Sequence, residues 1–149
     1  MSTEHPLLTP EQAREQLAAV GGRSLHLARD RRIHATGTAV FGLTAAVHMT
    51  TQNVVTGAAQ VVLSCVVLAI FVAEAVVVER AARTVPLRAR FWSRTGIGAS
   101  FVLALGVVLP WLNLQAQTSP NTVPMVLGGA VLVAAPSLLA AVVIARRRT

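Results

Sequence analysis

Glu74 is the acidic residue that lies clearly inside an apolar stretch, between Phe71 and Val78. Moving an ionisable side chain out of water costs free energy, so a carboxyl group within a membrane span is by default a candidate functional group. Glu79 and Arg80 mark the end of the stretch, and at 1.5 Å per residue Glu74 lies roughly 7 Å inside that end. Two roles remain open: an ion pair that joins two helices, or coupling to a proton or a cation.

The neighbours of Glu74 depend on how the first two apolar helices pair. A hairpin that turns near Gln52 brings Glu74 level with Arg31 and Arg32, and to about one helical turn from His34. We therefore predict an intramembrane ion pair or coupling site made of Glu74 and these three residues. Of the two roles, we prefer the ion pair.

The remaining reactive side chains do not form a site. His34 and His48 are fourteen residues apart, about 21 Å along a helix, which is too far to share a metal ion. Cys65 is the one cysteine, so an intrachain disulfide and a cysteine metal cluster are both excluded. The sequence contains no nucleotide-binding loop, zinc signature or nucleophile elbow. We predict no catalytic, cofactor-binding or metal-binding residue and no enzymatic activity, and leave pH sensing by His48 open.

The composition indicates that lipid, rather than water, surrounds much of the chain. Apolar residues make up 54% of the 149 residues and charged residues 13%, against about 25% charged residues in soluble domains. The net charge of +7 comes from arginines in three clusters: up to Arg32, from Arg80 to Arg94, and at 146–148. Nucleic-acid-binding domains spread their cations over one face. Cations that flank long apolar stretches are instead typical of membrane proteins, so we expect a lipid bilayer and no nucleic acid as partner.

Four apolar stretches separate the arginine clusters and the loops. They are continuous, without the alternation of a membrane β-barrel, and a helix needs about 20 such residues to cross a bilayer. The first stretch is the weakest because it contains histidines and threonines. We predict an all-α integral membrane four-helix bundle, the transmembrane domain of residues 33–145, with spans at about 33–50, 54–78, 95–114 and 123–145.

The loops predict the orientation. Residues 51–53 and 115–124 carry no charge, whereas residues 79–94 carry five arginines and one glutamate. Short arginine-rich loops stay in the cytoplasm. Both termini and the middle loop should therefore be cytoplasmic, with a basic amphipathic segment at 1–32 and a basic tail at 146–149. The chain uses arginine and no lysine and is rich in alanine and valine, a composition that is typical of a bacterium. We therefore predict a multi-pass protein of the bacterial cytoplasmic membrane.

Residues 9–32 have the pattern of an amphipathic helix that lies on the membrane surface. Thr9 and Gln12 have the spacing of a capping box, and Pro10 suits the first helical position. Apolar residues then recur at helical intervals, with arginines on the other side. Gly21-Gly22 predicts a weak point or a break into two short helices. A loosely ordered tail is the alternative.

Two further patterns concern the helices themselves. Trp92 and Trp111 are nineteen residues apart, about 28 Å along a helix, as expected for anchors at the two membrane interfaces. Pro110 and Pro136 should each bend the span that contains them. Small residues that permit close helix packing recur at Thr38, Gly42, Ala46, Gly96, Ser100, Gly128 and Gly129.

The layout resembles that of small actinobacterial membrane proteins of unknown function. The resemblance covers the whole chain and is carried by Thr9–Arg14 (Thr-Pro-Glu-Gln-Ala-Arg) and by the basic segment Arg29–Arg32, followed by Ala- and Val-rich spans. It implies the membrane location and no particular activity.

Three functions are open, and we favour a non-enzymatic accessory or regulatory subunit that contacts a membrane-protein partner or a second copy through its helices. The alternative is a small-solute or drug transporter, possibly proton-coupled through Glu74, since length and helix count resemble those of small multidrug exporters. That family has its membrane glutamate in the first helix, whereas Glu74 is in the second, and its aromatic substrate cage is missing here. Four-helix glutathione-dependent transferases are similar in size, but the chain has no tyrosine.

Overall fold

The structure, a computed structural model, describes residues 9–82 and 85–146. Helix α1 runs over Pro10–Thr51, α2 over Ala58–Ala81, α3 over Leu87–Thr118 and α4 over Val123–Arg146. Every regular element in these two ranges is helical, as predicted. The expectations for residues 1–8 and for the arginines at 147 and 148 lie outside the described residues.

Three of the four helices are long and apolar enough to cross a membrane. Their most apolar windows have mean hydropathies of 2.9 in α2, 1.9 in α3 and 2.3 in α4. The predicted second, third and fourth spans therefore overlap with α2, α3 and α4, although α3 begins eight residues before the predicted third span. Helix α1 is less apolar than these three, in line with the weak first stretch.

Helix α1 begins at the predicted cap. The Thr9 hydroxyl accepts a hydrogen bond from the Gln12 amide at 3.3 Å, and the Gln12 side-chain oxygen accepts one from the Thr9 amide at 3.1 Å. The helix then continues without interruption to Thr51, so of the two alternatives predicted for Gly21-Gly22 the break into two short helices is wrong. Each glycine lowers helix stability by about 1 kcal/mol. The packed carboxyl-terminal half of α1 offsets this cost because it supplies a formed helix, and adding residues to a formed helix is easier than starting a new one.

The continuous helix also changes the expected geometry of the amino-terminal segment. A hydrogen-bonded helix contains no turn that could redirect the chain from the membrane surface into the bilayer. The first twenty residues of α1 are largely exposed, including Leu17 and Leu25 at 71% and 73%, and burial begins at Asp30. This half of α1 therefore projects from the bundle in line with the packed half.

The packed half of α1 is the central helix of the bundle. It makes its most extensive contacts with α4 and also contacts α2 and α3, while α3 and α4 pack on each other. Its inward face is made of small or hydroxyl side chains, among them Thr38, Gly42, Ala46 and Thr50. Because its neighbours shield it on several sides, α1 does not need the apolar surface of a helix that faces lipid all round.

Small residues bring α1, α3 and α4 into close contact. A Cβ atom on Gly96 of α3 would lie 2.5 Å from the Ala140 Cβ and 3.0 Å from the Pro136 carbonyl oxygen of α4. One turn along α3, the hydroxyls of Ser100 and Ser137 are hydrogen-bonded at 2.8 Å. Gly42 of α1 packs against Ser137 from the other side. Ser137 thus lies at the point where the three helices meet.

Other small residues differ in their surroundings. A Cβ on Gly129 would lie 2.9 Å from the Val108 side chain and 3.3 Å from that of Thr50, whereas Gly128 has open space. Of the residues expected to form packing interfaces, Thr38, Gly42, Ala46, Gly96, Ser100 and Gly129 lie at contacts within this chain, and Gly128 is exposed.

The two prolines leave their helices continuous. Ahead of Pro110, residues Ala104–Val108 form a π turn in which the Leu109 amide donates to the Ala104 carbonyl. A proline ring clashes with the carbonyl four residues before it in a regular α-helix, and the wider π turn relieves this clash. Helix α4 continues through Pro136.

The ends of the bundle differ in polarity. At the uncharged end, Gly57 begins α2 with a positive φ of 66°, a backbone conformation that glycine adopts without strain. At the same end the Asn53 side-chain amide donates to the Asn113 side-chain oxygen at 2.6 Å, which ties the α1–α2 loop to α3. The opposite end carries Arg90 and Arg94 and is called the arginine-rich end below.

Replacing Gly96 with alanine should destabilise the bundle, because the added methyl group meets both a side chain and the backbone of α4. We expect a loss of about 1–3 kcal/mol in the free energy of unfolding, as for other overpacked sites. The matched control is Gly98→Ala, two residues away on the same helix, where the added Cβ has open space. That variant should keep or gain about 0.5–1 kcal/mol. Unfolding in mixed micelles, followed by circular dichroism, measures both, and equal effects would contradict the packing described here.

Candidate functional site

A cavity of about 550 Å³ lies between α2 and α3 at the arginine-rich end of the bundle. Helix α2 packs along α1 and makes no extensive contact with α3, so the space between them stays open above α1. Three helices line this α2–α3 cavity: α1 with His34, Thr38 and Phe41, α2 from Phe71 to Ala82, and α3 with Arg90, Ser93, Arg94 and Ile97.

Aromatic rings form the deep end of the cavity. Phe41 of α1 stacks on Phe71 of α2 with ring centroids 4.5 Å apart, and its edge meets Phe101 of α3 at 5.6 Å. These contacts join α1 to both neighbours just below the point where α2 and α3 separate. The deep end therefore offers an apolar aromatic surface.

A pair of hydroxyl groups joins α1 to α3 beside the cavity. The Thr38 hydroxyl donates to the His34 carbonyl at 2.9 Å and lies 2.7 Å from the Ser93 hydroxyl. Since the Thr38 proton is already committed, the Ser93 hydroxyl is the donor of this second bond. The free lone pairs of Ser93 remain as an acceptor at the cavity wall. Sequence reasoning missed Ser93, although it lies three residues before Gly96 and seven before Ser100, on the same face of α3.

Glu74 lies in the contact between α1 and α2. Its Oε1 atom is 3.4 Å from the position that a Cβ atom on Gly37 would occupy. Gly37, which the sequence analysis did not single out, therefore leaves room for the carboxyl group against α1. The Oε2 atom is shielded from solvent and accepts no hydrogen bond.

The residues expected around Glu74 lie on different sides of it. His34 lines the α2–α3 cavity together with Glu74, and both of its ring nitrogens are buried without a hydrogen-bond partner. Arg32 is exposed and lines a second, apolar groove on the outer side of the α1–α2 contact, which also reaches Glu74. Arg31 is half-buried and lines neither space. Glu74 thus separates two openings, with one predicted neighbour in each.

The mouth of the cavity carries charges of both signs. Arg90 and Arg94 of α3 and Glu79 of α2 line it, and all three side chains are exposed. The sequence analysis assigned none of the three to a site. They line the same cavity as Glu74 only because of the way α2 and α3 pack against α1. The charged groups of the mouth line the same cavity as the unpartnered ring nitrogens of His34 and the Oε2 atom of Glu74, and the charge of Arg90 acts on His34.

Other predicted residues lie away from the cavity lining. Trp92 is half-buried and meets Phe91 edge-on at 6.2 Å, and Trp111 is 43% exposed toward the other end of α3. His48 is half-buried with an unpartnered Nδ1, and Cys65 is exposed on α2. Across the described ranges, no three His, Cys, Asp or Glu side chains are placed to hold a metal ion.

Comparison with known proteins gives no family for this chain: no family model, no curated protein and no solved structure matches it.

Replacing Glu74 with methionine distinguishes an unpaired carboxyl group from an ion pair. Removing a carboxyl group whose Oε2 atom is shielded and has no hydrogen-bond partner should raise the free energy of unfolding by about 1–3 kcal/mol. Breaking a buried ion pair would instead lower it by about 3–5 kcal/mol. Unfolding in mixed micelles measures the difference. Glu79→Met is the control on the same helix, and as an exposed site it should change stability by less than about 0.5 kcal/mol.

Proposed function

We propose that the chain is a non-enzymatic membrane subunit that acts through helix–helix contacts made by α2. The observation that carries the proposal is the isolation of this helix. In its most apolar window 6% of the residues are buried, against 22% in α3 and 39% in α4. Helix α2 is thus the most apolar helix and the one with the least packing inside the chain.

The distribution of small residues supports α2 as the contact surface. Most of those predicted for close helix packing are used between α1, α3 and α4, so they are not open to a partner. On α2, Val67 is buried against the bundle, while Val62, Cys65 and Val72 point away from it. Lipid can cover this face. A membrane-protein partner or a second copy would add the packing contacts that α2 lacks.

We further propose that the protein is a multi-pass protein of the bacterial cytoplasmic membrane, with its arginine-rich end in the cytoplasm. The support is the charge difference between the two ends, since arginine-rich loops stay in the cytoplasm. The central position of α1 supports a four-helix membrane bundle in which α1 also crosses. Its projecting half, Pro10–Arg29, would then enter the cytoplasm in line with the span instead of lying on the membrane surface.

Photo-cross-linking from α2 tests the subunit role. A photoreactive residue at Val62 or Val72 should give a discrete cross-linked band in native membranes, and none should form from Leu139 on the exposed face of α4. A band at twice the 15.6 kDa mass identifies a second copy, and another mass identifies a different partner. Val62, Val72 and Leu139 are all exposed, so a difference in cross-linking would not come from accessibility. If all three positions gave only lipid adducts, the proposal would be contradicted.

A small-solute transporter is the second candidate, and the α2–α3 cavity is the observation that favours it. The cavity combines Glu74, His34 and an opening at one end of the bundle. In a proton-coupled transporter the Glu74 carboxyl would exchange a proton for the solute.

Flux measurements in proteoliposomes test coupling through Glu74. With an imposed proton gradient, uptake of ethidium should be driven by the wild-type chain and abolished in Glu74→Gln, because an amide does not release a proton. Glu79→Gln, at the exposed mouth, should keep the uptake. Unchanged flux in Glu74→Gln would remove the coupling role.

A further inference from the structure

The polar groups inside the α2–α3 cavity are mostly hydrogen-bond acceptors. Inward of the mouth these are the Glu74 carboxyl group, the lone pairs of the Ser93 hydroxyl and, when the imidazole is neutral, one nitrogen of His34. The Thr38 proton is used by the His34 carbonyl and the Ser93 proton by Thr38. The one N–H of neutral His34 is the donor left among these groups. This surface selects a ligand that supplies donors.

The inner cavity contains an acidic side chain, while the positive charge of Arg90 acts on His34 from the mouth. Glu74 is the acidic side chain at this depth, and the arginines that line the cavity, Arg90 and Arg94, lie at its exposed mouth beside Glu79. A cation that passes the mouth meets a carboxyl group whose Oε2 has no donor.

The side chains at the deep end of the cavity indicate the chemistry of the rest of the ligand. The Phe41–Phe71 stack forms an apolar floor, and ring faces attract both apolar groups and organic cations. The volume of about 550 Å³ lies within the range of roughly 300–1,000 Å³ that is usual for small-molecule sites. The cavity can therefore take one amphiphilic molecule.

We propose that the α2–α3 cavity binds an organic amine in its cationic form, with the ammonium group at Glu74 and an apolar or aromatic body against Phe41 and Phe71. Ser93 and His34 accept further N–H donors of the ligand. The inference rests on the cavity and not on transport, so it holds equally for a subunit whose partner contacts are regulated by such a ligand.

Binding of dansylcadaverine, a fluorescent primary amine, to the full chain in nanodiscs of zwitterionic lipid tests the site. Two probes with the same body serve as comparison: the N-acetylated derivative, which is neutral, and 6-(dansylamino)hexanoic acid, which is an anion. Empty nanodiscs correct for partitioning into lipid. We expect the amine to bind about tenfold or more tightly than either derivative. Equal affinities, or tighter binding of the acid through Arg90 and Arg94, would overturn the proposal.

Two sets of variants locate the ligand. Glu74→Gln should raise the Kd of the amine about tenfold or more and leave the weak binding of the neutral derivative unchanged, which also shows that the variant is folded. Glu79→Gln at the mouth should change the amine Kd much less. Phe71→Leu should weaken both probes, because both share the aromatic body. An amine Kd that responds equally to the two glutamate variants would place the cation at the mouth and refute the assignment to Glu74.

Discussion

The structure depends on the close approach of α1, α3 and α4 around Ser137. In a membrane, lipid tails are as apolar as the helix surfaces, so association relies on van der Waals packing and on hydrogen bonds between helices. Both are present at this point: Gly42 and Gly96 remove side-chain bulk, and Ser100 bonds to Ser137 across the interface. Larger residues at these glycines would separate the helices and would also separate the two serine hydroxyls.

This three-helix contact determines what the remaining helix can do. Because α3 and α4 cover much of the surface of α1, α2 packs against another side of α1. This arrangement leaves a gap between α2 and α3. Glu74 lies in this α1–α2 contact, where Gly37 leaves room for it. A shielded carboxyl oxygen without a donor, such as Oε2 of Glu74, lowers stability, and a cost of this kind makes Glu74 a candidate for a functional role.

The sequence was informative where structure follows from local chemistry. The capping box of Thr9 and Gln12, the apolar spans of α2 to α4 and the helical character of the chain depend on neighbouring residues, and the structure contains all of them. The break predicted at Gly21-Gly22 is wrong because the helical cost of two glycines was weighed alone. The packed half of α1 provides a formed helix, and this helix continues through the two glycines into the projecting half. Propensity alone cannot decide such a case.

The cavity could not be predicted in the same way, since its parts come from three helices. His34 and Glu74 were recognised as ionisable residues in apolar surroundings. The role of Ser93 depends on Thr38, fifty-five residues away in sequence, and that of Gly37 on its contact with α2. Pairings of this kind require the relative placement of helices, which periodicity on one helix does not contain.

Helix α2 connects the two surfaces to which function is assigned. Its outer face is exposed and is the contact surface that we propose, and its inner face carries Phe71 and Glu74 into the cavity. Because α2 is held mainly by α1, a small displacement of α2 changes the width of the cavity and the position of the outer face together. A partner at the proposed contact surface and a ligand in the cavity would therefore both act on the position of α2, which is the physical requirement for coupling between two sites.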